Sequence, residues 1–316
     1  MKKFFTLIAL FAISTCVVMA QNQILNGGFE DWGVDKDHTP TSGNVSNEIS
    51  EPRYWHSFIS ASVAKTIDDL GLSYRIKNSN NQCFISTDAH SGNYSVCIKS
   101  AKLLGLVKAN GTLTTGRLNA GSMTAKDPAN HSELDMSNTA TDRNDDPFYQ
   151  VMTGRPDSIV FWVKYSTGAP GTKANMSAYI TDGTYYQAPE DKTYENKVGW
   201  AENPNIAPCT EWTRISVPFT YADNEVEPKA ILLTFSTSAI PGGGSDKDIL
   251  YVDDVELIYK GDVNGDGNIN INDVVSLVNI ILGNQNDYDI YKADVNGDKS
   301  ININDVVTLV NRILGN

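Results

Sequence analysis

A near-identical duplication close to the C-terminal end constrains this 316-residue chain more than any other feature. Asp262-Val-Asn-Gly-Asp-Gly-Asn-Ile-Asn-Ile-Asn-Asp273 recurs as Asp294-Val-Asn-Gly-Asp-Lys-Ser-Ile-Asn-Ile-Asn-Asp305. The match runs on through Val274–Asn284 and Val306–Asn316, and only four of 23 aligned positions differ. Two copies of one small structural unit are therefore expected side by side.

The repeated unit has the chemistry of a hard-cation loop. Calcium takes six to eight oxygen ligands, which a twelve-residue loop supplies from positions 1, 3, 5, 7, 9 and 12. In the first copy these are Asp262, Asn264, Asp266, the carbonyl of Asn268, Asn270 and Asp273. In the second they are Asp294, Asn296, Asp298, the carbonyl of Ser300, Asn302 and Asp305. An Asn/Asp-rich turn that binds nothing would not need every position filled twice. Two calcium ions are expected. Position 6, where the loop turns sharply, is Gly267 in the first copy and Lys299 in the second. A non-glycine residue held left-handed costs about 1–2 kcal/mol, so the second site should be the weaker. Val274, Val278, Ile281 and Leu282 follow at helical spacing, as do Val306, Val310, Ile313 and Leu314, with Gly283 and Gly315 as stops. Asp262–Asn316 holds eight acidic and three basic side chains, so cation binding should be coupled to folding.

The rest of the chain reads differently. From Gln21 to Lys260 no helical period is sustained, and short alternating runs are separated by Gly, Pro and Asn clusters. The clearest run is Ser158–Tyr165, with Ile159, Phe161, Val163 and Tyr165 on one face and Val160, Trp162 and Lys164 on the other. Others are Gln82–Thr87, Tyr94–Ser100, Ala174–Thr181, Thr213–Tyr221, Ala230–Ser236 and Ile249–Tyr259. This spacing predicts an all-β jelly-roll sandwich, followed by a small all-α calcium-binding domain. Pro218 inside a strand run points to an edge position or a bulge. Ala101–Val107 fits helix or strand, and the polar stretch Lys126–Pro147 reads as a long surface loop.

Lys2 and Lys3 precede an apolar run, Phe4–Met19, and Val18 and Ala20 suit signal peptidase. Residues 1–20 are read as a secretory signal peptide. Cys16 as a lipid anchor is the weaker reading, because the apolar run continues past it. No second apolar stretch approaches the roughly 20 residues of a membrane-spanning helix, so a secreted or cell-surface location is expected. The chain carries −13 net charge, and −15 once Lys2 and Lys3 are removed. That argues against a nucleic-acid partner, since phosphate binding needs a basic surface. The exported chain keeps Cys83, Cys97 and Cys209. A hairpin centred on His90 would set Cys83 opposite Cys97, either as a disulfide or as two small buried side chains.

The D-x-N-x-D-G-x-x-N-x-x-D loop, followed at once by a helix, resembles the duplicated unit of a type I dockerin. The resemblance covers residues 261–316. It implies docking to a cohesin domain in assemblies that gather polysaccharide-degrading proteins. It also implies that loop positions 10 and 11, Ile271 with Asn272 and Ile303 with Asn304, face the partner. The pairs are identical, so the module could dock in either of two orientations. Residues 21–260 resemble the jelly-roll carbohydrate-binding modules of secreted bacterial proteins and a domain family catalogued under carbohydrate metabolism. Asn26-Gly-Gly-Phe-Glu30-Asp-Trp32, Ser91–Val96, Gly154–Tyr165, Trp212–Phe219 and Tyr251–Leu257 carry that likeness. In related sandwiches an acidic residue of the opening motif shares a structural calcium with one of the last strand. Glu30 with Asp253 or Asp254 would be the counterpart.

Sugar binding needs exposed aromatic faces, and Trp200, Tyr185, Tyr186 and Tyr194 lie in a polar segment between strands. Trp162 and Trp212 are expected in the core, and Trp32 and Trp55 stay open. No paired-carboxylate motif, nucleophile elbow or H-E-x-x-H is present. The sequence therefore favours a secreted, non-catalytic glycan-binding protein docked through its C-terminal module. A docked glycoside hydrolase and a structural or adhesive surface protein are the alternatives.

Overall fold

The structure, a computed structural model, describes residues 23–33, 51–79, 83–103, 105 and 107–315. The leader expected over residues 1–20 lies outside them. Within the described residues no helix is long and apolar enough to cross a membrane.

Two antiparallel sheets stack as a jelly-roll sandwich. One orders the strands Cys209–Pro218, Ser158–Ser166, Ile249–Ile258, Ser95–Lys99 and Cys83–Ser86. The other orders Thr220–Tyr221, Lys197–Ile206, Ala174–Thr181, Ala230–Ser236 and Thr112–Thr114, with Gln150–Val151 also on Ala230–Ser236. Alternation drives the packing: Ile159, Phe161, Val163 and Tyr165 are buried, whereas Trp162 and Lys164 face outward. Phe161 meets Phe235 of the opposite sheet edge-on at 5.0 Å. Trp32 and Trp55 are both fully buried, Trp55 packing between Phe29 and Phe235. Burying a side chain of this size contributes roughly 2–3 kcal/mol. Pro218 ends an edge strand, where its missing N–H interrupts no ladder.

Three expectations are corrected. The hairpin pairs Cys83 with Ile98 and Phe84 with Cys97, one residue away from a His90-centred register. A one-residue slip flips faces, so the two thiols point to opposite sides and form no disulfide with each other. Trp162 and Trp212 are half-buried on the outer face of the five-stranded sheet rather than in the core, with His90 stacked on Trp162 at 3.6 Å. The stretch Lys126–Pro147 is not one loop. Asn130–Leu134 forms a strand between Arg117–Ala120 and Tyr186–Ala188, with Ser62–Val63 completing a small four-stranded sheet. Its inward positions are Ser132 and Leu134, too little apolar signal to mark a strand.

That small sheet lies over the outer face of the six-stranded sheet, sealed at one end by Leu134, Tyr186, Tyr194 and Leu232. The segment Ala101–Leu103 is a strand paired with Val107–Ala109. Two short helices, Lys65–Asp68 and Ser73–Ser79, add Ile67 and Ile76 to a second small cluster with Leu103 and Ala120.

The C-terminal unit packs helix Ile271–Ile281 on helix Ile303–Leu314, with the turn Ile290–Ala293 between them. Its core is Val263, Leu277, Ile280, Ala293, Val295 and Leu309. The buried stripe is therefore Val274, Leu277 and Ile280, not Val274, Val278 and Ile281, which leaves Val278, Ile281 and Leu282 exposed. Gly283 and Gly315 stop the helices in the left-handed conformation.

Candidate functional site

The two C-terminal loops are nearly superposable in their bonding. In the first, Asn264 N–H donates to Asp273 Oδ1 at 3.0 Å and Asn270 N–H to Asp273 Oδ2 at 2.9 Å. In the second, Asn296 and Asn302 N–H groups hold Asp305 at 3.2 and 2.9 Å. Asp273 and Asp305 are fully buried. Each is also the third residue of its helix, closing a capping box with Asn270 or Asn302. One carboxylate thus fixes both the loop and the helix start. Burial pushes the Asp262 carboxyl above its ordinary value; Lys292 opposes this, and Asp273 and Asp266 add like charge. The donors fit calcium, since the side chains at loop positions 1, 3, 5, 9 and 12 of each loop all carry oxygen. Gly267 has φ 80° and Lys299 φ 70°, so position 6 is left-handed in both loops and a lysine bears it in the second.

Above the loops the helices present matched apolar residues. Ile271 and Ile303 are each 64% exposed, and Val275 and Val307 are 56% and 53% exposed. Asn272 and Asn304 each give their backbone N–H to the capping Asn at 2.8 Å, which leaves their side chains on the same outer surface.

The sandwich carries a cleft of about 390 Å³ between the six-stranded sheet and the small sheet that covers it. Its floor is the outer face of the larger sheet, with Asn175, Ser177, Tyr179, Glu202, Thr234 and Ser236. Alternation explains this row: each is one residue away from an inward core position such as Met176, Ala178 or Phe235. The facing wall is apolar, with Phe58, Ile67, Ile76, Leu103, Leu118 and Met123. Asn119 and His131 stand at its edge, 3.4 Å apart. Burial acts to lower the His131 pKa, but the Glu133 carboxylate and the Pro128 carbonyl together raise it above the ordinary histidine value.

Two amides aim at this space. Asn110 donates to the carbonyls of Ser238 and Ile240 at 3.1 and 3.0 Å, which fixes its plane. Its Oδ1 and that of Asn175 are buried and accept no hydrogen bond among the described residues. Tyr179 donates to Glu202, and burial with that carboxylate raises its pKa. Glu202 is the sole carboxylate lining the cleft among the described residues.

Of the four aromatic residues read as glycan candidates, two are unavailable to a ligand. Tyr186 is fully buried and Tyr194 is 9% exposed, because their rings pack 4.9 Å apart under the small sheet. Tyr185 is 38% exposed, with its hydroxyl 3.5 Å from His131 at the cleft edge. Trp200 is paired in register with Tyr179 and lies two residues before Glu202, so it flanks the cleft floor. Sequence reasoning missed Asn110, Asn175, Glu202 and His131. The alternation of Ala174–Thr181 would have exposed Asn175, Ser177 and Tyr179 as one polar face.

Glu30, Asp253 and Asp254 each bond to the turn at His90–Tyr94. Glu30 accepts from Asn93 and Tyr94 N–H at 2.7 and 2.9 Å, and Asp253 from His90 N–H at 2.7 Å. Asp254 pairs with the His90 ring at 2.6 Å. Burial, with Asp254 beside it, pushes Asp253 up to about 7. Backbone N–H donors aim at Glu30 and Asp253, an arrangement that satisfies these carboxylates from within the protein.

Comparison with known proteins decides the C-terminal unit. Residues 260–314 match the dockerin type I domain model. The dockerin is a calcium-binding domain. For the sandwich, similar solved structures include a candidate glycoside hydrolase from Bacteroides thetaiotaomicron, at 17% identity and TM-score 0.44, covering 58% of each chain. A candidate glycoside hydrolase from Bacteroides vulgatus is 22% identical at TM-score 0.43, covering 57% of this chain and 78% of the other. TmCBM61, solved with β-1,4-galactotriose, is 12% identical at TM-score 0.30, covering 76% of this chain and 100% of its own. The chain spans 58% of the first of these structures. No curated protein matches it.

Proposed function

We propose that this is an exported, non-catalytic glycan-binding protein, with residues 21–260 as the binding domain and residues 261–316 as its docking domain. The leader 1–20 directs export. The dockerin holds two calcium ions, through Asp262, Asn264, Asp266, Asn268, Asn270 and Asp273 and through Asp294, Asn296, Asp298, Ser300, Asn302 and Asp305. It presents Ile271, Asn272, Ile303 and Asn304 to a cohesin in a polysaccharide-degrading assembly.

The observation that carries the glycan reading is the cleft, which sets a row of polar side chains against an apolar wall. A sugar ring has the same division, with hydroxyls at its edge and C–H groups on its faces. The Asn110 and Asn175 oxygens can accept from ring hydroxyls, and Glu202 with Tyr179 supplies a further polar pair. Glycoside hydrolysis normally uses two carboxylates flanking the bond. A single carboxylate in the cleft supports binding without turnover.

Binding of the full chain to a panel of soluble polysaccharides tests this. Wild type should retain at least one glycan and release no reducing sugar. Asn175→Ala should weaken that binding about tenfold, the worth of one good hydrogen bond to a buried group. Absence of binding to every glycan would sink the reading. Release of reducing ends, lost in Glu202→Gln, would make the protein a hydrolase.

A further inference from the structure

We propose that the sandwich holds a divalent transition-metal ion, of the zinc or manganese class, between Glu51, His56 and Asp142. This site is separate from the dockerin loops. One ligand atom from each of the three side chains lies within 4.8 Å of the others. The His56 and Asp142 side chains are wholly buried, with His56 Nδ1 3.7 Å from Asp142 Oδ2. Neither of those two atoms has a hydrogen-bond partner among the described residues.

The surrounding bonds show why that pair needs an occupant. His56 Nε2 lies 3.1 Å from the Pro147 carbonyl, which can only accept, so Nε2 carries the proton. In the neutral ring Nδ1 then presents a lone pair to Asp142 Oδ2, another acceptor. A backbone carbonyl on the far nitrogen is the usual support of a metal-bound histidine. Asp142 Oδ1 is held by the N–H groups of Asn144 and Asp146 at 2.8 and 2.9 Å, which aims Oδ2 at the ring. Glu51 Oε1 is held by Ser57 N–H and Oγ at 2.5 and 2.6 Å and by Ser60 Oγ at 3.1 Å. His56 is anchored through its backbone to Thr114, at 2.7 and 2.9 Å.

A shared proton does not fit the spacing, since hydrogen bonds close at roughly 2.7–3.2 Å. An ion about 2.0–2.2 Å from each donor puts tetrahedral ligands roughly 3.4 Å apart, close to the 3.7 Å between His56 Nδ1 and Asp142 Oδ2, with the Glu51 ligand atom within 4.8 Å of both. The imidazole nitrogen argues against calcium, which takes oxygen, and for a borderline ion that accepts nitrogen and carboxylate together. The other charges facing the site are Arg117, which stacks on Phe148, and Asp146, which Arg53 neutralises through two bonds. Two carboxylates therefore face the ion with one arginine nearby. The ion would staple residues 51–60, whose Phe58 lines the cleft, to the segment 142–147.

The test uses the full chain, stripped with EDTA and then given excess calcium to fill the dockerin. Calorimetric titration with Zn²⁺, and separately with Mn²⁺, should show one equivalent bound by at least one of them. Asp142→Asn keeps an Oδ1 for Asn144 and Asp146 but replaces the ligating oxygen with an NH₂ group. It should weaken the ion at least tenfold. If that variant does not fold, cobalt(II) reports on wild type: a visible d–d band should appear, be displaced by Zn²⁺ and resist Ca²⁺. Failure of wild type to bind either ion overturns the proposal. So does Zn²⁺ binding that Asp142→Asn leaves unchanged, or a cobalt band that calcium removes.

Discussion

Lys299 is the residue expected to unbalance two otherwise similar loops. Its φ of 70° is the conformation that Gly267 adopts at 80° in the sister loop. Its N–H still reaches Asp294 Oδ2 at 3.0 Å, so the loop closes as the first one does and absorbs the strain in its backbone. Part of that strain, about 1–2 kcal/mol, must be met when the loop orders around its ion. Glycine would remove it while adding some unfolded-state entropy. Lys299→Gly should therefore tighten the second calcium site by about 1 kcal/mol, roughly fivefold. A calcium titration that resolves two affinities should show them converge. An unchanged weaker constant would mean that the lysine costs the site nothing. At the same scale Asn270 and Asn302 serve twice, as loop residues and as the helix caps that receive the Asn272 and Asn304 N–H groups. Replacing either would confuse folding with cation binding, so Lys299 is the cleaner probe.

Between elements, the two dockerin helices expose Ile271 and Ile303, and Val275 and Val307, to nearly the same degree, which is the basis for expecting two docking orientations. If a cohesin uses one helix at a time, alanine at Ile271 and Asn272 alone should cost only the statistical factor of two, about 0.4 kcal/mol. The same holds for Ile303 and Asn304 alone, and replacing all four should abolish binding. Titration of each variant against the partner checks this, and loss of binding from a single pair would end the two-orientation idea. How far elements could be read in advance depended on length and period. Ser158–Ser166 was plain because Ile159, Phe161, Val163 and Tyr165 recur at every second residue and all face the core. Lys65–Asp68 and Ser73–Ser79 were missed because four and seven residues hold too little of a 3.6 period. The loop repeat was readable, since each set of expected donors lies within one twelve-residue stretch. The cleft was not, because Asn110, His131, Asn175 and Glu202 come from four segments that only the fold brings together. Glu51, His56 and Asp142 were invisible for the same reason. The Cys83–Cys97 register turned on a single residue of turn length, which alternation alone does not determine.

At the scale of the whole molecule, the short connection between Ile258 and Asp262 is reinforced rather than hinged. Arg312 reaches Asp157 at 3.2 Å, Lys292 reaches Glu256 at 2.7 Å, and Arg214 stacks on Tyr291. Lys260 N–H also donates to Asp157 at 2.8 Å. The ion pairs are partly exposed and should contribute only about 0.5 kcal/mol each. The apolar link is Ile269, which packs against both the sandwich core and the dockerin core. Ile269 is also position 8 of the first loop, so an ion bound there would fix the residue that joins the sandwich to the C-terminal unit. Calcium bound at that loop stabilises the folded dockerin by mass action, and it should stabilise the joint with it. Arg312→Ala should therefore leave thermal unfolding in calcium almost unchanged. Ile269→Ala should cost about 1–2 kcal/mol and split unfolding into separate dockerin and sandwich transitions. Chelating calcium from wild type should split it in the same way. Scanning calorimetry of the three samples decides the matter. A wild-type profile that stays the same under chelation would mean that the joint does not depend on the ion.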